Sequence, residues 1–126
     1  ATPVVDPLPA TLLPIDPRDV MARVDGDRDL LAELADIFTE QSRDLIGALT
    51  TALSAGDAAA VEHLAHTLRG SVANFGARVA ARAAHDLEMA GREAQLADAP
   101  RLLAILEEQM IGIQQALRDL IGASDA

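Results

Sequence analysis

Apolar residues recur along most of this chain at steps of three and four, the period of an α-helix with one buried face. Asp16 followed by Pro17 predicts an N-cap and a first helical residue for a short helix over residues 17–24. Longer amphipathic helices are predicted over residues 29–53, 57–75 and 77–96, and from residue 100 onward. Short connections join them, so the pattern predicts an all-α, antiparallel four-helix bundle with a short accessory N-terminal helix.

The first long helix is expected to turn one apolar stripe toward the core. Its apolar positions at helical spacing are Leu30, Leu34, Ile37, Phe38, Leu45, Leu49 and Leu53. Gly56 and Asp57 are expected to end this helix and to cap the next. Gly76 suits the end of the third long segment, because glycine adopts a left-handed conformation with little penalty.

The first residues of the chain differ in composition from the rest. Five of the six prolines fall within residues 1–17, and proline-rich segments act as semi-rigid spacers. We therefore predict a linker over residues 1–16 and a helical bundle over residues 17–126. Because the chain begins at Ala1 rather than Met, we expect a terminal module of a longer protein.

Charge and composition exclude several classes of function. The chain has 20 acidic and 10 basic residues and a formal net charge of -10, so a nucleic acid would be repelled on average. It has no cysteine, which excludes disulfides and thiolate nucleophiles. No apolar run approaches membrane-spanning length. We expect a cytoplasmic module without direct membrane contact, whose parent protein can be anchored in the inner membrane through other segments.

The helix predicted over residues 57–75 carries a histidine on its solvent side. At about 100° per residue, His66 lies roughly 140° from the centre of the apolar stripe. Arg69 and Gly70 follow one turn later on the same side, although an interior glycine costs about 1 kcal/mol relative to alanine. Imidazole is a nucleophile near neutral pH, and guanidinium binds phosphate. His66, Arg69 and Gly70 together therefore fit a phosphorylation site at His66. The alternative is that His66 is an ordinary solvated histidine and that Gly70 only allows close packing.

The stretch "AHTLRGSVANFGA", residues 65–77, resembles the signature of histidine-containing phosphotransfer (Hpt) domains of bacterial phosphorelays. That signature is commonly written around H-x-L-K-G-S with G-A a few residues on. The resemblance implies a four-helix bundle with an accessory N-terminal helix. It also implies that His66 is the phosphoacceptor, that Arg69 replaces the family's lysine beside the phosphoryl oxygens, and that Gly70 keeps the approach open.

The resemblance extends to the next helix. Family members tend to carry there a polar residue that hydrogen-bonds the histidine, and Glu88 matches that place, with Arg92 one turn on. A carboxylate at this position would orient the imidazole. The alternative is that Glu88 and Arg92 form an ordinary surface pair at i and i+4. The expected docking surface around His66 consists of Ala59, Glu62, His63, Thr67, Gly70 and Ala73.

The resemblance implies a phosphocarrier rather than a kinase. No G-x-x-x-x-G-K-[ST] or kinase-type glycine-rich loop occurs, so we expect no ATP site. We expect no cofactor of its own, because Mg²⁺ would come with the receiver domain that exchanges the phosphoryl group. The expected partners are receiver domains of response regulators or of a hybrid sensor histidine kinase, of which this chain would be the terminal domain.

Two other functions remain open from the residues. One alternative is a metal site formed by His63, His66 and His85, although neither H-E-x-x-H nor a pair of Glu-x-x-His motifs occurs. The second alternative is a non-catalytic helical dimerisation or adaptor bundle that associates through its apolar stripes.

Overall fold

The computed structural model describes residues 14–122, which form five helices and, within that range, no strand. The helices are α1 (Pro17–Arg23), α2 (Arg28–Ala55), α3 (Ala58–Ala73), α4 (Arg78–Arg92) and α5 (Ala99–Gly122). Helix α2 packs against α3 and α5, and α4 packs against the same two neighbours, so the four long helices close into a bundle. The predicted all-α bundle with a short N-terminal helix is confirmed.

Aspartates begin the first three helices. The Oδ1 atom of Asp16 accepts hydrogen bonds from the backbone N–H groups of Arg18 and Asp19 at 3.1 and 3.3 Å. Asp27 and Asp57 each accept from the third residue after them, at 3.0 and 3.1 Å. These carboxylates satisfy N–H groups that lack a partner within the helix, and they lie at the positive end of its dipole. The helix starts predicted at Asp16 and Asp57 are confirmed.

The start of α1 is tied to the loop that follows α3. Ile15 is buried, and the backbone N–H of Asp16 donates to the carbonyl of Phe75 at 3.3 Å. Gly76 has a φ of 65°, and a Cβ on it would lie 2.8 Å from the Cβ of Asp16. The left-handed glycine predicted at this position is confirmed. The linker predicted over residues 1–16 falls mostly outside the described residues and stays a prediction.

The stripe predicted for α2 is wrong in its first half. Leu30, Leu34 and Ile37 are 39%, 39% and 61% exposed. The adjacent pairs at 30–31 and 37–38 offer two stripes that differ by one residue, and apolar spacing alone does not choose between them. Phe38 fixes the rotation, because its ring packs 4.6 Å from the ring of Phe75. The buried face of α2 consists of Leu31, Ala35, Phe38, Ser42, Leu49 and Ala52.

Helix α4 ends earlier than the predicted residue 96. Its last helical residue is Arg92, and Ala94 adopts a left-handed φ of 54°. The N–H groups of Ala94 and Gln95 donate to the carbonyls of Gly91 and Ala90, which closes the helix end. A left-handed alanine cannot be recognised from the sequence as a glycine can, so the apolar spacing extended the predicted helix beyond its observed end.

Helices α3 and α4 approach each other closely at Gly91. A Cβ on Gly91 would lie 2.5 Å from the backbone N of Glu62 and 2.8 Å from the carbonyl oxygen of Ala58. Small residues at Ala80, Ala83 and Ala84 line the same buried side of α4. The close approach brings side chains of α4 within hydrogen-bonding distance of the exposed face of α3.

Across residues 14–122, none of the helices combines the length and the hydropathy that a membrane span requires.

Candidate functional site

His66 lies on the solvent side of α3. The residues of this helix that face the core are Val61, Ala65, Leu68 and Val72. The side chain of His66, between these positions, is 61% exposed. The orientation predicted from the apolar stripe is therefore confirmed, and the imidazole is accessible to a reagent or a partner protein.

A buried carboxylate on α4 contacts this exposed ring. Glu88 is only 4% exposed, and its Oε2 atom lies 3.1 Å from Nδ1 of His66. The i,i+4 pair of Glu88 with Arg92 is present, at 3.6 Å, but Glu88 is buried rather than on the surface, and it also faces His66. When Nδ1 carries the proton, it donates to the carboxylate and leaves the lone pair of Nε2 free.

Arg69 contacts α4 through two nitrogens of its guanidinium and His66 on its own helix through the third. Its Nε atom lies 3.3 Å from Oε1 of Glu88, its Nη1 atom 3.1 Å from Nδ1 of His85, and its Nη2 atom 3.2 Å from Nδ1 of His66. The contact with Oε1 is an ion pair without hydrogen-bond alignment, because this buried oxygen accepts no hydrogen bond from the described residues. A positive charge is thus held beside the ring of His66.

Arg92 supplies a second positive charge on the other side of Glu88. Its Nε atom donates to Oε2 of Glu62 at 2.8 Å, and its Nη2 atom lies 3.6 Å from Oε2 of Glu88. The hydrogen bond to Glu62, followed by the charge of that carboxylate, raises the pKa of Arg92. Two guanidinium groups therefore compensate the buried carboxylate, which would otherwise be costly to keep ionised.

The surface around His66 is open. A Cβ on Gly70 would meet no heavy atom within 4 Å, so packing within the described residues does not require glycine there. Of the residues predicted to form the docking surface, Ala59, His63, Gly70 and Ala73 are exposed, while Glu62 and Thr67 are half-buried. A shallow depression of about 260 Å³ beside the ring is lined by Ala59, Glu62, His63, His66, Glu88 and Arg92.

The three histidines are not arranged as metal ligands. Nδ1 of His66 faces Glu88 and Arg69, and Nδ1 of His85 faces the guanidinium of Arg69. Within the part of the chain that the structure describes, no three side chains of metal-binding type are placed to share an ion. The cluster of His66, Arg69, His85 and Glu88 is instead a hydrogen-bonded and ionic network.

Sequence reasoning missed the contact between His85 and Arg69. The two residues lie on different helices, 16 positions apart in the chain. Apolar spacing gives the rotation of each helix, but not the register in which α3 and α4 pack. Gly91 was the one available signal for close packing of these helices, since glycine is unfavourable inside a helix unless space is limited.

Comparison with known proteins identifies relatives of this architecture. Residues 33–124, well over half of the chain, match the family described as the Hpt domain. The crystal structure of histidine-containing phosphotransfer protein B from Pseudomonas aeruginosa PAO1 is 28% identical and superposes with a TM-score of 0.80. The match covers 86% of this chain and 95% of that one. No curated protein sequence matched the chain.

Proposed function

The chain belongs to the Hpt domain family and has a histidine phosphotransfer function in phosphorelays; on this premise, we propose that His66 is its phosphoacceptor. The observation that carries the proposal is the contact of 3.1 Å between the exposed ring of His66 and the buried carboxylate of Glu88. Among the described residues, His66 is the one histidine whose ring is paired with a carboxylate. It also occupies the histidine position of the H-x-L-R-G-S stretch.

The arrangement makes Nε2 the attacking atom. With Nδ1–H donating to Glu88, the lone pair of Nε2 attacks the phosphorus of an aspartyl phosphate on a receiver domain. A bond forms between phosphorus and Nε2, and the bond between phosphorus and the aspartyl oxygen breaks. The ring keeps its proton on Nδ1 and becomes a phosphorylated imidazolium, whose positive charge Glu88 stabilises.

Arg69 and Gly70 serve the incoming group. The guanidinium of Arg69, 3.2 Å from the ring, lies within reach of phosphoryl oxygens and neutralises part of their charge. The open space above Gly70 admits the receiver's backbone or its aspartyl phosphate. Ala59, Glu62, His63, Thr67 and Ala73 would form the docking surface around them.

Hpt domains act as phosphocarriers and interact with receiver domains, and we propose that this chain does both. We propose that it takes the phosphoryl group from a receiver domain and passes it to, or back from, a response regulator, without ATP hydrolysis of its own. Mg²⁺ would be held by the acidic pocket of the receiver domain. The cytoplasmic location stays a prediction.

The proposal is tested by incubation with a phosphorylated receiver domain. Label should move to the wild-type chain and to His63→Gln, but not to His66→Gln. Because a phosphorus–nitrogen bond to imidazole is acid-labile and alkali-stable, mild acid should remove the label. Equal labelling of His66→Gln would overturn the assignment.

A further inference from the structure

The Nδ1 atom of His66 has two neighbours of opposite hydrogen-bonding type. Oε2 of the Glu88 carboxylate, 3.1 Å away, only accepts, whereas Nη2 of Arg69, 3.2 Å away, only donates. In a neutral imidazole, a given ring nitrogen either carries the proton or accepts a hydrogen bond. The two contacts therefore cannot both be hydrogen bonds at the same moment, and each is satisfied by a different tautomer.

The two tautomers differ in reactivity. When Nδ1 carries the proton, it donates to Glu88, and Nε2 has a free lone pair. When Nε2 carries the proton, Nδ1 accepts from Arg69, and neither nitrogen has a lone pair available for attack. Only the first tautomer of His66 can accept a phosphoryl group at Nε2.

His85 decides how firmly Arg69 is held against the ring. Its Nδ1 atom lies 3.1 Å from Nη1 of Arg69 and accepts a hydrogen bond from it when the proton of the His85 ring is on Nε2. The same guanidinium is anchored through Nε, 3.3 Å from Oε1 of Glu88. Held at these two points, the planar guanidinium directs its remaining nitrogen, Nη2, toward Nδ1 of His66.

We propose that Arg69, held by His85, is a latch on the tautomer of His66, and that the incoming phosphoryl group releases it. Phosphoryl oxygens attract the guanidinium more strongly than a neutral ring nitrogen does, because both partners are charged. Nη2 of Arg69 therefore leaves Nδ1 of His66 when the phosphoryl group arrives. The proton moves from Nε2 to Nδ1 through solvent, Nδ1 donates to Glu88, and Nε2 becomes nucleophilic. His85 acts here as a positioning residue. The proposal rests on the phosphoacceptor role proposed for His66.

The tautomer can be measured directly in the unphosphorylated chain. The ring nitrogens of ¹⁵N-labelled protein report protonation through their chemical shifts, and His66→Gln assigns the signals of His66. At about pH 8.5, where an ordinary imidazole is neutral, we expect wild-type Nδ1 of His66 to show a mixture of both tautomers. His85→Leu and Arg69→Met should shift Nδ1 toward the protonated form. His85→Asn, which keeps an acceptor close to the position of Nδ1, should resemble the wild type.

A second measurement reads reactivity without any receiver domain. Diethyl pyrocarbonate modifies the free lone pair of an imidazole, and the modified peptides can be counted by mass spectrometry. Modification of His66 relative to His63 should be faster in His85→Leu than in the wild type or in His85→Asn. If the tautomer signals and the modification ratio of His66 are both unchanged in His85→Leu, the proposal that Arg69 and His85 control the tautomer of His66 is wrong.

The two proposals fail in different ways. If label reaches His66 but its tautomer signals are unchanged in the variants of Arg69 and His85, His66 is the phosphoacceptor and the proposed control of its tautomer is wrong. If the tautomer signals respond but label from a phosphorylated receiver reaches another residue, the phosphoacceptor role of His66 is wrong, and with it the release of the latch by a phosphoryl group.

Discussion

Nδ1 of His66 and Oε2 of Glu88 lie 3.1 Å apart and join an exposed ring on α3 to a buried carboxylate on α4. The contact places a negative charge behind the ring, on the side away from an approaching partner. A ring that gains a phosphoryl group also gains positive charge, so the carboxylate stabilises the product and the transition state before it. The packing of α3 against α4 maintains this contact.

Removing the charge of Glu88 should slow phosphotransfer. Glu88→Gln keeps an acceptor for Nδ1–H but loses the charge, whereas Glu88→Ala loses both. A hydrogen bond to a charged group is worth about 1.5–3 kcal/mol, so we expect roughly a 10- to 100-fold lower initial rate for Glu88→Ala and a smaller loss for Glu88→Gln. Initial rates with a phosphorylated receiver measure the effect. Wild-type rates in both variants, with melting temperatures unchanged, would contradict the role given to Glu88.

Substitutions of Gly70 should affect the stability of the fold and the rate of phosphotransfer differently. Gly70→Ala puts a Cβ in open space and replaces glycine inside a helix, so the free energy of unfolding should rise by up to about 1 kcal/mol. A longer side chain, as in Gly70→Gln, should hinder the receiver and lower the transfer rate. Urea denaturation and initial transfer rates measure the two effects.

Gly47 provides the matched control for Gly70. It lies within α2, is exposed, and also has no heavy atom within 4 Å of an added Cβ. Gly47→Ala and Gly47→Gln should match the stability changes at Gly70 and leave transfer unchanged. If the Gln variants at the two positions transfer equally fast, Gly70 has no part in partner access.

Replacing Gly91 with alanine should lower the stability of the fold, the opposite of the effect expected at Gly70. A Cβ on Gly91 would lie 2.5 Å from the backbone N of Glu62, and backbone atoms cannot move aside as a flexible side chain can. Gly91→Ala should therefore lower the free energy of unfolding by about 1–3 kcal/mol, the usual range for overpacking. It should also separate α3 from α4 and reduce transfer by weakening the contact between His66 and Glu88. An unfolding free energy equal to or above the wild-type value, measured in urea, would show that the helices are not in close contact there.

The pair of Asp98 and Arg101 should make a pH-dependent contribution to stability. Arg101 donates to both oxygens of Asp98 at 2.8 and 2.6 Å, and this hydrogen bonding lowers the pKa of Asp98. A lowered folded-state pKa stabilises the fold above the ordinary aspartate pKa of about 3.9. The stabilisation is lost as the pH falls through the lower, folded-state pKa.

Arg101→Gln tests this sign. The difference in unfolding free energy between wild type and Arg101→Gln should be present at neutral pH and disappear in acid. In an Asp98→Asn background the same substitution should have little effect at either pH. A difference that grows toward acid would contradict the assignment.

The sequence predicts the local features of this fold better than the relationships between helices. The caps at Asp16 and Asp57 and the outward face of His66 follow from short-range chemistry and from the apolar spacing of one helix. The predicted rotation of α2 was wrong because the buried stripe is determined by the packing of Phe38 on Phe75, which lies far away in the chain. The end of α4 depends on a left-handed alanine that has no sequence signal.

The candidate site divides in the same way. His66, Arg69 and Gly70 lie within one helical turn, so a single stretch of sequence brings them together. The family resemblance led us to expect the contact of Glu88 with His66, whereas the contacts of Arg69 with His85 and Glu88 depend on the register of α3 against α4, where Gly91 allows close packing. Spacing within one helix does not give that register, so the network around Arg69 required the structure.

By the proposed mechanism, Nε2 of His66 carries the phosphoryl group. After transfer from a receiver domain to ¹⁵N-labelled protein, the coupling between ³¹P and ¹⁵N identifies the bonded nitrogen directly. We predict one phosphorus signal coupled to Nε2 of His66, with Nδ1 still protonated. Phosphorus coupled to Nδ1 of His66, or to a nitrogen of His63 or His85, would show that Nε2 of His66 is not the phosphorylated atom.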